Sequence, residues 1–319
     1  MLLDLNTIRS ADKRIRPYIH RTPVLTSSRL NEASGASLFF KCENFQKIGA
    51  FKARGATNAV FSLDDATARS GVATHSSGNH GAAVARGAKL RGIPAHIVMP
   101  SNSAKVKIRA VESYGAHIVF CEPTEEAREV ACAEVIKKTG ATLIHSFENE
   151  DVMAGQGTAA MELLEDVPDL DLVMCPVGGG GLLSGTAIAG KSMRPKIKVI
   201  AVEPQNVDDA AQSFRAGRRL VTEKKFTMAD GLRTNIGEPN FAIIQRYVDD
   251  IVTVSEEAIV SAMRTIWETM KIIIEPSAAV PYAAIQEAKI DVNANRVGII
   301  LTGGNVDLDA LPWNCSRDR

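Results

Sequence analysis

Residues 37–56 read SLFFKCENFQKIGAFKARGA, a β-rich run over 37–42 that hands over to a helical pattern over 52–61. The same grammar repeats down the chain. Strands are expected at 71–75, 95–99, 116–120 and 141–144, then at 171–174, 198–202, 251–254 and 296–301. Helical spacing separates many of them, as at 80–90, 103–114, 125–138 and 256–270. Such alternation predicts an α/β fold of mostly parallel, twisted sheets flanked by helices on both faces. A chain of 319 residues suggests two domains. No repeat, low-complexity tract or linker divides it, so the two are expected to be interwoven.

Composition excludes several classes. Thirty-seven lysines and arginines balance thirty-seven aspartates and glutamates, which argues against a nucleic-acid or anionic-membrane partner. The longest apolar stretches, such as 297–301, are far too short to span a bilayer. The start, Met1-Leu2-Leu3-Asp4, lacks the regions of a signal peptide. Five cysteines at 42, 121, 132, 175 and 315 are scattered and form no CxxC pair. Reduced thiols in the cytoplasm are expected.

Four constellations sit where strands meet helices. Lys52, in the first turn of its helix, faces the positive end of the helix dipole. Burial beside Ala50 and Phe51 would lower its pKa further. Only a neutral amine adds to a carbonyl, so such a lysine suits carbonyl chemistry. His75-Ser76-Ser77-Gly78-Asn79-His80-Gly81 opens another helix, and its unpaired N–H groups could hold a carboxylate or phosphate. Pro176-Val177-Gly178-Gly179-Gly180-Gly181 follows a strand, and four glycines allow a backbone to approach a phosphate closely. Leu301-Thr302-Gly303-Gly304-Asn305 closes the last strand with a hydroxyl that could reach a cofactor ring nitrogen. Each has a plain alternative: a solvated lysine, an N-cap, a turn. The glycine quartet also nearly fits a dinucleotide fingerprint through Gly178 and Gly180, with Glu203 near the ribose position, but the third glycine is Leu183. A nucleotide-binding oxidoreductase therefore stays open at this point. Taken together, an aldehyde anchor, an oxyanion turn, a phosphate cradle and a terminal hydroxyl are what pyridoxal phosphate requires.

These motifs resemble the serine/threonine dehydratase and serine racemase family of pyridoxal-phosphate enzymes, of the tryptophan-synthase-β fold type. The likeness runs from Thr22-Pro23-Val24-Leu25 through Lys52, Ala154-Gly155-Gln156-Gly157-Thr158 and Ile274-Glu275-Pro276 to Thr302-Gly303-Gly304-Asn305. It implies a large cofactor-binding domain, residues 1–66 with 148–319, and a small substrate-closing domain, residues 67–147. It also implies that Lys52 carries the cofactor covalently with Phe51 beside the ring. Asn79 would meet the phenolic oxygen, Gly178, Gly179, Gly180 and Gly181 the phosphate, and Thr302 the pyridine nitrogen. Ser76, Ser77, Gly78 and His80 would form the substrate-carboxylate turn, with Ser77 as a second acid/base opposite Lys52. Glu203, the carbonyl of Val207 and Asp209 match the family's divalent-cation site, an oxygen-only set suited to Mg²⁺, Ca²⁺ or Mn²⁺. A homodimer is the family's common state.

Ala50 replaces the serine of many threonine dehydratases, and the regulatory domain of the biosynthetic dehydratases is expected to be absent. Both features lean toward the racemase and hydroxyaspartate-dehydratase branch. A substrate with a second carboxylate needs another cation, and Arg128, matching an arginine that racemase relatives turn toward substrate, with His145 are the candidates. The expected activity is an ammonia-lyase converting L-threo-3-hydroxyaspartate to oxaloacetate and ammonia; a serine racemase or serine/threonine dehydratase is the alternative. A relative that binds cofactor without turnover is a further rival, opposed by the intact Lys52 and turn serines.

Overall fold

The structure is a computed structural model that describes residues 3–76, 78–103, 105–223 and 225–313. Its strands are β1 (Val24–Leu25), β2 (Ser37–Cys42), β3 (Val72–His75), β4 (Ala95–Pro100) and β5 (His117–Cys121). They continue with β6 (Thr142–Leu143), β7 (Leu172–Pro176), β8 (Lys198–Pro204), β9 (Asp250–Val254) and β10 (Arg296–Leu301). The helices are α1 (Leu5–Ile15), α2 (Ser28–Ser34), α3 (Lys52–Ser62), α4 (Asp65–Ala68), α5 (Asn79–Arg91), α6 (Lys105–Glu112) and α7 (Glu125–Thr139). They end with α8 (Glu150–Asp166), α9 (Gly181–Met193), α10 (Asp209–Ala216), α11 (Glu238–Tyr247), α12 (Glu256–Met270) and α13 (Pro276–Gln286).

Two sheets result, one ordered β1-β2-β10-β7-β8-β9 and the other β5-β4-β3-β6. Every pairing is parallel except the antiparallel edge β1–β2. The parallel α/β expectation therefore holds, and the two-residue edge β1 is the element that apolar runs could not reveal. Because helices cover both faces, the inner strands are buried along most of their length, and successive residues feed different cores. Leu172 and Met174 of β7 pack into the core under α12 and α13, whereas Val173 and Cys175 pack under α8 and α9. In the second sheet Ile97 and Met99 of β4 meet α5, and Val98 meets α7.

Close helix contacts place the Lys52 helix. A Cβ on Gly155 of α8 would lie 2.6 Å from Gly55 Cα of α3, and one on Gly185 of α9 would lie 2.5 Å from Gly157 N. The Ala154–Thr158 motif is thus a packing device that lets three helices approach backbone to backbone. Beneath α3 lies a buried ionic cluster. Arg54 pairs with Glu43 (Nε–Oε2 2.7 Å) and Glu162 (Nη2–Oε2 2.8 Å), while Lys41 Nζ reaches Glu162 at 2.6 Å. All four side chains are fully buried or nearly so. Thr22 donates to Glu43 Oε1 at 2.6 Å, and its carbonyl accepts from Lys41.

Candidate active site

The functional motifs occupy the carboxyl ends of parallel strands, where ligands bind in open α/β sheets. After β2 the chain makes two tight turns before α3. Ile48 (φ 59°) and Gly49 (φ 71°) are left-handed, and a Cβ on Gly49 would sit 2.7 Å from Asn305 Oδ1. This loop is stitched to the end of β10. Asn305 donates to Ile48 O at 2.7 Å, Gly304 N to Gly49 O at 2.9 Å, and Phe51 N to Thr302 O at 2.9 Å.

Lys52 then opens α3, and no side chain caps that helix. Its Nζ donates to Ser146 O at 2.9 Å and lies 5.2 Å from the Phe51 ring centre. Burial pulls its pKa down to about 8, partly offset by the Glu275 carboxylate. Enclosure by protein is thus the main cause of the neutral-amine tendency expected from the helix position.

The turn after β3 leads to α5, which also lacks a capping side chain. Gly78 N donates to Ser76 Oγ at 3.2 Å. His80 is buried, and its Nε2 lies 2.9 Å from Ile144 O. Burial and nearby Lys52 push its pKa down to about 3, so it is a neutral imidazole, and its Nδ1 has no hydrogen-bond partner among the described residues. Asn79 is held from both ends: Nδ2 donates to Glu275 (3.0 and 3.1 Å), and Oδ1 accepts from Asn305 at 2.9 Å. Ser77 lies outside the described residues.

β7 ends in the glycine loop, and Gly180 (φ 95°) starts α9 without a side-chain cap. A Cβ on Gly179 would stand 2.2 Å from the Phe147 ring, and one on Gly178 would stand 3.0 Å from Leu232 Cα. Only bare backbone fits, with the first N–H groups of α9 left for an anion. At the end of β10, Thr302 is buried and its Oγ1 has no partner among the described residues. An orphaned hydroxyl, an uncapped glycine cradle and a low-pKa lysine fit pyridoxal phosphate.

These groups line one cleft of about 570 Å³. Phe51, Lys52, Ser76, Gly78, Asn79, His80, Gly178 to Gly181 and Thr302 all face it, as do Arg128 and His145. Arg128 donates from Nε to Thr124 O at 3.2 Å, within its own helix cap, and its terminal nitrogens make no hydrogen bond among the described residues. Glu125 and Glu129 of the same helix share the wall. His145 stacks edge-on against His75 and Phe147, and its Nδ1 accepts from Glu148 N at 3.1 Å. Glu203, Val207 and Asp209 lie apart from the cleft, at the end of β8 and the start of α10, and all three are buried. Glu203 accepts from Ala210 N and Ala211 N at 3.2 and 3.0 Å, and Asp209 from Ile236 N at 2.7 Å. Among the described residues no group of three or more His, Cys, Asp or Glu gathers for a metal, so that site would rest on two carboxylates and a carbonyl. Such hard oxygen donors fit a hard cation that keeps several waters.

Sequence reasoning assigned no role to Glu275, Lys107 or Asp230, which also line the cleft. Glu275 precedes a proline at the first turn of α13. That helix-start signal could have drawn notice, because it aims a carboxylate toward the strand ends. Burial, reinforced by Asp230, pushes its pKa up to about 7. A raised folded-state pKa means the folded protein keeps a proton that the unfolded chain releases above about pH 4.3. This group's stabilising contribution is therefore present at low pH and is lost as pH rises through 7. Glu275→Gln is expected to raise unfolding stability at pH 8 by on the order of 3 kcal/mol and to change it little near pH 4.5, checked by urea melts. An equal effect at both pH values would show that Glu275 is already ionised in the fold.

A lysine of lowered pKa, a glycine cradle and a buried terminal hydroxyl on parallel strands define a pyridoxal-phosphate enzyme of the tryptophan-synthase-β fold type. The family model described as pyridoxal-phosphate dependent enzyme matches residues 15–303, and the chain belongs to that family. It is 49% identical over 305 residues to a β-hydroxyaspartate dehydratase of Paracoccus denitrificans, covering 96% of this chain and 97% of that protein. It is 46% identical over 299 residues to the L-threo-3-hydroxyaspartate ammonia-lyase of Saccharomyces cerevisiae, covering 93% and 92%. The solved structure of maize serine racemase superposes with a TM-score of 0.95 at 46% identity, covering 99% and 97%. No helix among the described residues is long and apolar enough to cross a membrane.

Proposed function

We propose that the protein is an ammonia-lyase that converts 3-hydroxyaspartate, as the L-threo isomer, to oxaloacetate and ammonia. The observation that carries this reading is the convergence in one cleft of Lys52, the turn before α5, and an Arg128 whose terminal nitrogens make no hydrogen bond among the described residues. The similarity to a β-hydroxyaspartate dehydratase and to an L-threo-3-hydroxyaspartate ammonia-lyase supports it. When bound, pyridoxal phosphate supplies an electron sink conjugated to the substrate Cα.

The chain's residues do the rest. Lys52, the anchoring amine, accepts the Cα proton, a role its pKa of about 8 suits. Ser76, Ser77, Gly78 and His80 hold the α-carboxylate, and Arg128 with His145 takes the second one. The amides of Gly178 to Gly181, in the loop after β7 and at the start of α9, would receive the phosphate. Asn79, held by Glu275 and Asn305, would meet the phenolic oxygen, and Phe51 would flank the ring. Thr302 would offer the pyridine nitrogen a hydroxyl. A hydroxyl partner in place of a carboxylate would leave that nitrogen largely neutral and favour loss of the β-hydroxyl. Water then releases the nitrogen as ammonia. Ser77, protonating Cα from the opposite face, would give a racemase activity. Serine racemisation or dehydration is the second reading, favoured by the close match to a serine racemase structure.

Mg²⁺ at Glu203, Val207 O and Asp209, or Ca²⁺ or Mn²⁺ there, would brace β8 against α10 and take no part in the chemistry. The division into residues 1–66 with 148–319 and residues 67–147, the smaller closing over substrate, belongs to the same reading and follows the separation of the two sheets. So do a homodimer and a cytoplasmic location, the latter supported by free cysteines at 42, 121, 132 and 175.

Ammonia and 2-oxo acid release from 3-hydroxyaspartate isomers and L-serine, at matched concentrations with Mg²⁺ present, tests the assignment. Preference for one hydroxyaspartate isomer supports it; preference for serine moves the reading to a serine dehydratase or racemase. Arg128→Ala is expected to lower kcat/KM for hydroxyaspartate by about 100-fold and to spare serine turnover, because one guanidinium–carboxylate pair is lost. Equal losses on both substrates would remove Arg128 from the specificity role.

A further inference from the structure

Lys107 and Asp230 are 123 residues apart in sequence and form an ion pair at the mouth of the cleft. Lys107 stands on α6, beside the four-stranded sheet, and Asp230 stands in the tight turn Asp230–Leu232. That turn is tied to the other side of the cleft, since Gly231 N donates to Ser277 Oγ of α13 at 3.2 Å. Lys107 also lies against the oxyanion turn: a Cβ on Gly78 would be 3.6 Å from its Nζ. We propose that Lys107 and Asp230 form a clasp across the cleft that positions the turn around Ser76 and Gly78 for the substrate's α-carboxylate.

Exposure argues against a purely structural role. The two side chains are 21% and 38% exposed, and pairs so open to water contribute little to folding stability. A weak pair between two sides of a cleft can still shift their closed population severalfold. Asp230 also neutralises Lys107, whereas the terminal nitrogens of Arg128 on that wall make no hydrogen bond among the described residues. Lys107 and Asp230 are positioning residues in this scheme.

The link to substrate binding rests on the carboxylate role proposed for the turn; the clasp itself does not. The experiment uses the cofactor-loaded enzyme as wild type, Lys107→Met, Lys107→Arg, Asp230→Asn and the exchanged pair Lys107→Asp with Asp230→Lys. Amide hydrogen exchange over residues 72–82 reads the turn without any substrate. Lys107→Met and Asp230→Asn should speed exchange there about fivefold and raise KM about tenfold, with a much smaller change in kcat. Lys107→Arg and the exchanged pair should return both quantities to within about twofold of wild type. Raised salt should increase the wild-type KM and leave that of Lys107→Met unchanged. Unchanged exchange in Lys107→Met, or an exchanged pair no better than the single variants, would overturn the clasp. Altered exchange with no turnover of any hydroxy amino acid by wild type would keep the clasp and overturn the proposed reaction.

Discussion

Lys52→Ala is expected to lower kcat/KM by about 10⁴-fold or more, the upper end of what one positioned proton-transfer group contributes. The same variant should lose the covalent link to the cofactor. Borohydride treatment followed by peptide mass spectrometry should find the tag on the Lys52 peptide in wild type and nowhere in the variant. Local geometry supports so large an effect. Lys52 Nζ stands deep in the cleft with Ser146 O as its hydrogen-bond acceptor, and burial pulls its pKa down to about 8, so its neutral form is far more accessible than that of a solvated lysine. Lys107, the other lysine lining the cleft, is committed to Asp230 at the mouth. The glycine cradle and the orphaned Thr302 hydroxyl are untouched by the change, so the variant should still bind pyridoxal phosphate noncovalently. Added methylamine should then restore part of the activity, because a free amine can stand in for the missing one. More than about 1% residual activity without amine, or a tag on Lys107, would remove Lys52 from its role.

Much of this site was legible in the chain because its parts are contiguous. The lysine loop, the Ser-Ser-Gly-Asn turn, the glycine quartet and Thr302 each occupy one strand end, and burial on both faces made those strands apolar runs. Proximity across the chain was not legible. Glu275 meets Asn79 over 196 residues and Lys107 meets Asp230 over 123, and no local pattern encodes either pairing. The Ala154–Thr158 motif stood out as a signature, but its purpose emerges only when Gly155 faces Gly55 and Gly157 faces Gly185. Burial of charge was hidden as well. Lys41 sits in a strand and Arg54 in a helix, and no local pattern marks either as buried. The structure encloses them completely.

That enclosure sets the second large effect: Arg54→Met is expected to cost about 3–5 kcal/mol in unfolding free energy, the range for breaking a buried ion pair from one side. Arg54 makes two bonds to Glu43 (2.7 and 2.8 Å) and two to Glu162 (both 2.8 Å). Its removal leaves two buried carboxylates with Lys41 as the one cation still hydrogen-bonded to either among the described residues, so negative charge is under-compensated where water solvates it poorly. Lysine at position 54 should rescue little, since one ammonium cannot reproduce a planar fork that bridges two carboxylates. The sign of a second substitution separates this account from simple loss of packing. Adding Glu43→Gln to Arg54→Met removes the unmatched charge and should recover about 1–3 kcal/mol. Two independent packing defects would instead add. Urea unfolding of wild type, both single variants and the double variant gives the coupling energy directly. Because Arg54 lies two residues past Lys52 on α3, Arg54→Met should also loosen the catalytic amine, and catalysis should fall even where the variant remains folded. A double variant no more stable than Arg54→Met would show that charge compensation is not what the cluster contributes.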